Sequence, residues 1–465
     1  MPSEPYDVVV VGGGNAGLVA AISARHHVKS VLLLECAPTW RRGGNSRHTR
    51  DIRYAHGPGE PFTTGEAYPQ DELLDDLLRV GGGHNRTLAN LVVEQSCTVA
   101  EWMSAHGVRW QQPLTGTLHL GRTNRFFLGG GKALINTYYQ TAEAMGVEVE
   151  YDACVSDVLF DPAGRASGVR VVCERASREV SARAVVVTSG GFEANLEWLR
   201  RYWGDAVDNY VIRGTPYNDG RVLASLLDKG AATAGDPKGF HAVALDARAP
   251  KFDGGIATRL DSVPFGITVN KYGKRFYDEG QDFWPKRYAI WGRLIAEQPD
   301  QIAYSIVDSH TIDCFLTSLY RPYEASSVAG LAESMGLDPD VMGATVREFN
   351  AAVRPGGTFN PAALDDCSTV GLDPPKSHWA LPIALPPFYG YPLRPGITFT
   401  YMGLAVDACS RVHMTDGRLV DNLFAAGEIM SGNILSSGYL GGFGLTIGTV
   451  FGRVAGTEAA RCARG

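Results

Sequence analysis

The chain opens on an apolar run, YDVVVV at 6–11, that breaks at GGGNAG and resumes as LVAAISARHH before a second apolar run, VLLLE at 31–35. Short apolar runs bounded by turn residues read as buried strands, and the longer stretch between them as a helix. Residues 41–56 (RRGGNSRHTRDIRYAH) are polar and form a ligand-facing loop. GGGKALI at 129–135 opens a helical pattern reaching Met145. VEVEYDACVSDVLF and ASGVRVVCE, separated by DPAGR, follow as a hairpin. ARAVVVTSGGFEAN is another buried strand, ending at Gly190-Gly191, where the chain returns to the parallel sheet.

Proline and glycine rise between about 236 and 280 and again from 355 to 397, flanking a strand, IAYSIVD, and a helical stretch, GLAESMGL…VREFNAAV. This middle region, 239–397, reads as an inserted second domain. The last stretch supplies a strand and glycine turn, LVDNLFAAGEIMSG at 419–432, then a long apolar helix within YLGGFGLTIGTVFGRVAG at 439–456. The prediction is an α/β protein whose nucleotide-binding domain, 1–238 and 398–465, is split by an inserted α+β cap.

The first glycine turn carries specific chemistry. In Gly12-x-Gly14-x-x-Gly17 the first glycine makes a tight turn, the second lets backbone approach a pyrophosphate, and the third permits close helix–strand packing. Glu35, about 20 residues further on, stands where an acid accepts the ribose hydroxyls. The phosphates belong on the helix N-terminus. By itself this unit serves NAD or FAD equally.

Composition narrows the picture. At 465 residues, with 45% hydrophobic and 20% charged residues, the chain is long enough for two domains with a sizeable core. A net charge of −7 argues against nucleic acid as a partner. The eight cysteines include no CxxC pair, so no metal site is predicted, and they read as buried thiols of a reducing cytoplasm. No signal sequence precedes the first strand and no apolar run approaches a membrane span of about 20 residues, so a cytoplasmic location is expected. Oligomeric state is not readable from these features.

GGGNAG, GGNS at 43–46, TSGGFEAN at 188–195, NDG at 218–220, ITVNKYGKRFYDEG at 267–280 and LFAAGE at 423–428 together resemble the flavoproteins of the fumarate reductase and succinate dehydrogenase superfamily. Within it, RRGGNSRHTR, GRTNRFFLGGGKALIN, YDEGQDFWPKRYAIWGRL, PPFYGYPLRPGITFTYMGL and YLGGFGLTIGTVFGR look most like the tricarballylate dehydrogenases. The resemblance implies a Rossmann-like FAD-binding domain of the GR2 type. It also implies oxidation of a small polycarboxylate, tricarballylate to cis-aconitate, with electrons passed to a separate membrane-associated acceptor. The GGNS loop and the C-terminal GE and GG segments sharpen the cofactor to FAD. Its expected contacts are Gly12, Gly14, Asn15, Ala16, Gly17, Glu35, Cys36, Gly43, Gly44, Asn45, Ser46, Val155, Gly190 and Gly191. Gly427 and Glu428 are expected at the ribityl chain, and Leu440, Gly441 and Gly442 along the isoalloxazine edge. Asn45 aligns with the histidine that is covalently flavinylated in the succinate dehydrogenases, so FAD is expected to be non-covalent, with His48 the neighbouring histidine.

Desaturation beside a carboxylate needs a hydride acceptor, a proton acceptor and cations to hold carboxylates. Asn270, Gly273, Arg275, Phe276 and Glu279 match the family's cap motif, with Arg275 expected to fix the cap loop and Arg287 to shuttle the proton. Thr400 and Tyr439 stand where relatives carry a substrate histidine and a carboxylate-binding arginine, and a tyrosine at the latter place resembles the ketosteroid dehydrogenases. Tyr439 is therefore expected to touch substrate, together with Arg122, His241, Arg394, Thr400 and Tyr401; Arg248, Arg259 and His119 are further candidates. Alternatives are a desaturase or reductase acting on another carboxylate or carbonyl compound, and a flavin-binding protein without net turnover. No second dinucleotide fingerprint follows the first, which argues against direct use of NAD(P)H.

Overall fold

The structure is a computed structural model, and it describes residues 4–82, 85–113, 120–173, 176–283, 287–316 and 318–465. His119 lies outside the described residues.

Tyr6–Val11 is a strand whose last four residues are buried, and it lies between Val31–Leu34 and the C-terminal half of Ala176–Val187, parallel to both. A strand covered on both faces needs the continuous valine run seen here. Leu419–Ala425 extends the sheet beyond Ala176–Val187, and Glu148–Glu150 extends it beyond Val31–Leu34, each in parallel. The nucleotide-binding sheet is thus assembled from both ends of the chain. Cys154–Phe160 and Ala166–Cys173 form the expected antiparallel hairpin. The N-terminal half of Ala176–Val187 continues it as a third strand, so one long strand serves both layers.

The helices Asn15–Arg25 and Phe443–Ala463 lie against each other. Glycines make this possible: a Cβ on Gly452 would sit 2.7 Å from the Ala16 carbonyl oxygen, and one on Gly456 would press on the Ala20 backbone. Asn15 adds a polar tie, its Nδ2 donating to Leu445 O at 3.2 Å and Thr449 Oγ1 at 3.1 Å. Both N-termini consequently open toward the same cleft. Among the described residues no helix is long and apolar enough to cross a membrane.

A second sheet is built around the strand Phe388–Thr400, which pairs with Phe240–Asp246, Ala303–Asp308, Tyr323–Ala325 and Val211–Ile212; Ile267–Asn270 adds to Ala303–Asp308. Helices Val328–Ser334 and Pro339–Ala352 cover part of this unit through Leu331, Met342, Val346 and Phe349. The expected division at 397/398 falls inside the strand Phe388–Thr400, and Val211–Ile212 joins the second sheet from outside the expected insert. The C-terminal end of that strand delivers Thr398 and Phe399 to the cleft.

Candidate active site

One cleft runs from the nucleotide-binding sheet to the second sheet and spans about 1510 Å3 including its mouth. Its lining runs from Glu35 and the glycine turn at one end to Arg213, Arg259 and Tyr439 at the other.

At one end stands Glu35, buried, accepting from the N–H groups of Ala37 at 2.8 Å, Gly13 at 3.1 Å and Gly43 at 3.4 Å. Burial pushes its carboxyl up, against the pull of these donors. Cys36, Ala153 and Val155 complete this wall. The glycine turn follows. Gly12 adopts φ +101°, a conformation that favours glycine, and a Cβ there would press on the Thr188 carbonyl at 2.6 Å. At Gly14 the nearest atoms to a built Cβ are Ser46 Oγ at 3.6 Å and Gly43 O at 3.8 Å, ordinary contacts, and its backbone lines the cleft. The adjoining helix N-terminus supplies the partial positive charge that a pyrophosphate seeks.

Further along, Asn45 donates from Nδ2 to Glu193 Oε1 at 2.6 Å and to Thr398 O at 2.7 Å, while its Oδ1 accepts from Thr215 N–H at 2.8 Å. Its amide therefore braces the cleft wall. His48 is turned toward Asp253, with Nε2 2.5 Å from Oδ1, and burial brings the imidazole down to about 4 despite that carboxylate. Glu428 accepts from Thr400 N–H at 3.0 Å and faces Glu193; burial and then their mutual repulsion push Glu428 well up, as expected for a buried pair sharing a proton. Gly441 and Gly442 form the turn before the helix Phe443–Ala463, with Gly442 at φ +84°.

The far end of the cleft is cationic. Arg50, Arg213 and Arg259 come from the early loop, the segment before NDG and the second sheet's side, and all three are buried or nearly so. Arg259 pairs with Asp261 at 2.6 Å and Arg50 with Asp51 at 3.2 Å. No carboxylate pairs with Arg213 among the described residues, and its Nε is buried without a hydrogen-bond partner. Burial, with repulsion from Arg259 and Arg50, pushes Arg213 down to about 10. The Tyr288 ring lies under the Arg259 guanidinium, 4.4 Å from it, and its hydroxyl approaches Gly441. His241 stacks on Tyr439 with ring centres 3.9 Å apart and planes at 10°. Tyr439 Oη accepts from Gly444 N–H at 3.0 Å, and burial raises its hydroxyl. The His241 Nδ1 is buried and unpartnered, and burial keeps its ring well below the usual range, hence neutral.

Many of the expected site residues meet here. Gly12, Gly14, Asn15, Ala16, Glu35, Cys36, Gly44, Asn45, Ser46, Val155, Gly190, Gly427, Glu428, Gly441, Gly442, His241, Tyr439 and Arg259 all line the cleft. Gly17, Gly43, Gly191 and Leu440 stand behind it. Gly17 packs on Gly12, Gly43 lies against Ile135, and Gly191 fits between Thr400 and the two glutamates.

Other expected residues are placed elsewhere. Arg287 points to Gln281 Oε1 at 2.7 Å rather than into the cleft, which its neighbour Tyr288 lines instead. Arg122 makes a two-pronged pair with Glu72 at 2.7 and 2.6 Å. Arg394 caps the Asp300 and Gln301 carbonyls, and Arg248 pairs with Asp246. Thr400 braces Glu428 and Phe192, and Tyr401 donates to Gly438 O at 2.8 Å, so both support the wall from behind. Arg275 pairs with Glu279 in the cap loop, in keeping with a structural role.

Arg50, Arg213 and Tyr288 were missed as site residues. Each nevertheless lies in or next to a segment singled out by its motif: RRGGNSRHTR, the stretch before NDG, and KRYAIW. The cysteines also differ from expectation. Among those described only Cys367 is buried, and Cys36 and Cys154 are brought together.

The residues fit FAD on the structure's own terms: an acid at the ribose position, glycine backbone open to the cleft and two helix N-termini converging on it. Fold and cleft together define a flavoprotein. The chain belongs to the FAD binding domain family, whose profile matches residues 7–445. It is 28% identical to NADH:fumarate oxidoreductase of Klebsiella pneumoniae across 99% of this chain and 48% of that protein, so it spans about half of that relative's length. It is 26% identical to a probable fumarate reductase of Shewanella frigidimarina, across 99% of this chain and 76% of the relative. The structure of a 3-ketosteroid-Δ4-(5α)-dehydrogenase from Rhodococcus jostii RHA1 superposes with a TM-score of 0.75 at 23% identity, covering 98% of this chain and 97% of that one. Its cofactor is FAD.

Proposed function

We propose that the enzyme desaturates a small polycarboxylate, with tricarballylate oxidised to cis-aconitate, and passes the electrons to a separate membrane-associated protein. The observation that carries this reading is the cationic end of the cleft, above all Arg213, a buried guanidinium with no carboxylate partner among the described residues. A buried charge without a partner is unfavourable, and bidentate binding of a carboxylate is the natural complement of a guanidinium. Bound FAD, held non-covalently, supplies hydride acceptance at N5. Arg213, Arg50 and Arg259 would hold the carboxylates and offset charge on the carbon losing its proton. The Gly441–Gly442 turn and the helix end behind it would orient the reacting bond.

Tyr288, the cap residue beside Gly441 and under Arg259, would exchange the proton in place of Arg287. His241 and Tyr439 would pack on the substrate as one neutral stacked unit. Reduction of a related unsaturated carboxylate would use the same groups in reverse. A steroid-like substrate is the weaker reading, because an apolar ligand would leave the buried Arg213 guanidinium without an anion.

The test is anaerobic bleaching of the flavin with tricarballylate, succinate, citrate and a ketosteroid. Tricarballylate is expected to reduce it, and bleaching by the ketosteroid alone refutes the assignment. Tyr288→Phe is expected to slow bleaching by about 10²–10⁴-fold with ligand binding retained. Arg287→Ala is expected to leave the bleaching rate within a few-fold of normal, and its loss would return Arg287 to the mechanism.

A further inference from the structure

Cys36 and Cys154 lie 118 positions apart in the chain, yet their sulfurs stand 2.6 Å apart, inside van der Waals contact. Cys36 directly follows Glu35 and lines the cleft, and Cys154 directly precedes Val155, which also lines it. The two segments are already joined by backbone: Glu35 N–H donates to Glu150 O at 2.8 Å, and Ala153 N–H to Glu35 O at 3.0 Å. Both thiols are partly exposed. Arg221, which also lines the cleft and pairs with Asp219, is the nearby cation. The hydrogen bond with Cys36, aided by Arg221 and opposed by burial, brings Cys154 down to about 6, while the same bond and burial raise Cys36. A thiol with a lowered proton affinity beside a partner thiol is the arrangement of a peroxide-sensitive pair.

We propose that Cys36 and Cys154 form a reversible disulfide when the protein meets a hydroperoxide, and that this bond latches the adenosine end of the FAD cleft. Cys154 as thiolate attacks the peroxide, breaking its O–O bond; the alkoxide or hydroxide released takes up a proton, and Cys154 becomes a sulfenic acid. The Cys36 sulfur then displaces the hydroxyl group, its proton leaving with that group as water. Two thiols and one hydroperoxide thus give one disulfide, one alcohol (or water, from hydrogen peroxide) and one water. An external dithiol reverses the step. Because the bond ties together the two segments that carry Glu35 and Val155, cofactor release, which requires that wall to open, slows in the oxidised form. Formation needs little backbone movement, since these segments are already paired.

The holoenzyme is treated with hydrogen peroxide, and thiols are counted after denaturation. Two of the eight cysteines should be lost. The intact mass should fall by the two hydrogens removed, and proteolysis should yield a linked Cys36–Cys154 peptide that dithiothreitol cleaves. FAD release, followed by flavin fluorescence on dilution, should slow severalfold in the oxidised protein and recover with dithiothreitol. Cys36→Ser should leave Cys154 as a sulfenic acid that dimedone captures, and Arg221→Gln should slow disulfide formation about tenfold. Absence of the linked peptide, or over-oxidation of Cys154 while Cys36 stays free, overturns the pair. A linked peptide with unchanged FAD release overturns the latch.

Discussion

Replacing Arg213 with methionine should make the protein more stable and less able to bind its substrate. A guanidinium brought down from its ordinary range to about 10 carries about 3 kcal/mol of unfavourable free energy in its charged form. The sign follows from proton linkage. The folded state holds this proton less tightly than the unfolded state, so the penalty is fully present below pH 10 and fades only as pH rises above it. A neutral side chain of similar length removes it. Methionine packs without needing a partner, so much of that amount should appear as stability, seen as a rise of a few degrees in Tm of the FAD-loaded protein. Binding moves the other way. A charge-assisted contact to a carboxylate is worth about 1.5–3 kcal/mol, so Kd for tricarballylate should weaken by about 10- to 150-fold. Thermal melts with and without tricarballylate read both quantities: the ligand should raise Tm of the parent protein and hardly that of Arg213→Met. A lower Tm in the variant, with the ligand-induced rise intact, would show that Arg213 serves packing and would refute its role as a substrate clamp.

Three other perturbations address the rest of the site. Glu35→Ala removes the acceptor of three backbone N–H groups and should weaken FAD binding by about 10- to 150-fold in a fluorescence titration; an unchanged Kd would separate Glu35 from the cofactor. His48, brought from 6.5 to about 4, stays neutral in the fold while the unfolded chain protonates it. Stability should therefore fall as pH drops from 6.5 toward 4, by about 2 kcal/mol at pH 5, and His48→Gln should flatten that part of a Tm-against-pH profile. Gly456→Val inserts a side chain into the Ala20 backbone and should lower Tm and speed FAD loss, with Gly456→Ala intermediate; two variants as stable as the parent would contradict the packing of the terminal helices.

The cofactor half of the site was legible because it is local. Val8–Val11, the glycine turn and Glu35 lie within one supersecondary unit, and each residue type there has one physical job. Sequence could also say that the chain's end completes this domain, since LVDNLFA and the helix after it repeat the strand-to-helix pattern. The substrate half was not legible to the same degree. Arginine is chosen for surface ion pairs as readily as for a buried clamp, and which use applies depends on partners remote in sequence. Arg122 and Arg394 lie in family-like segments but are satisfied by Glu72 and by carbonyls. Arg213 has no such partner among the described residues and lines the cleft.

By itself, then, the sequence determined an α/β fold with a dinucleotide cradle at its first glycine turn, because periodicity and turn chemistry act over a few residues, and its family resemblance sharpened the cofactor to FAD. Only the tertiary structure decided which of 43 lysines and arginines meet in the dark end of the cleft, that Tyr288 faces it while Arg287 turns away, and that Cys36 touches Cys154. Those choices depend on distant segments arriving at one place, where burial strips water from charges and makes each one's partner, or lack of one, decisive.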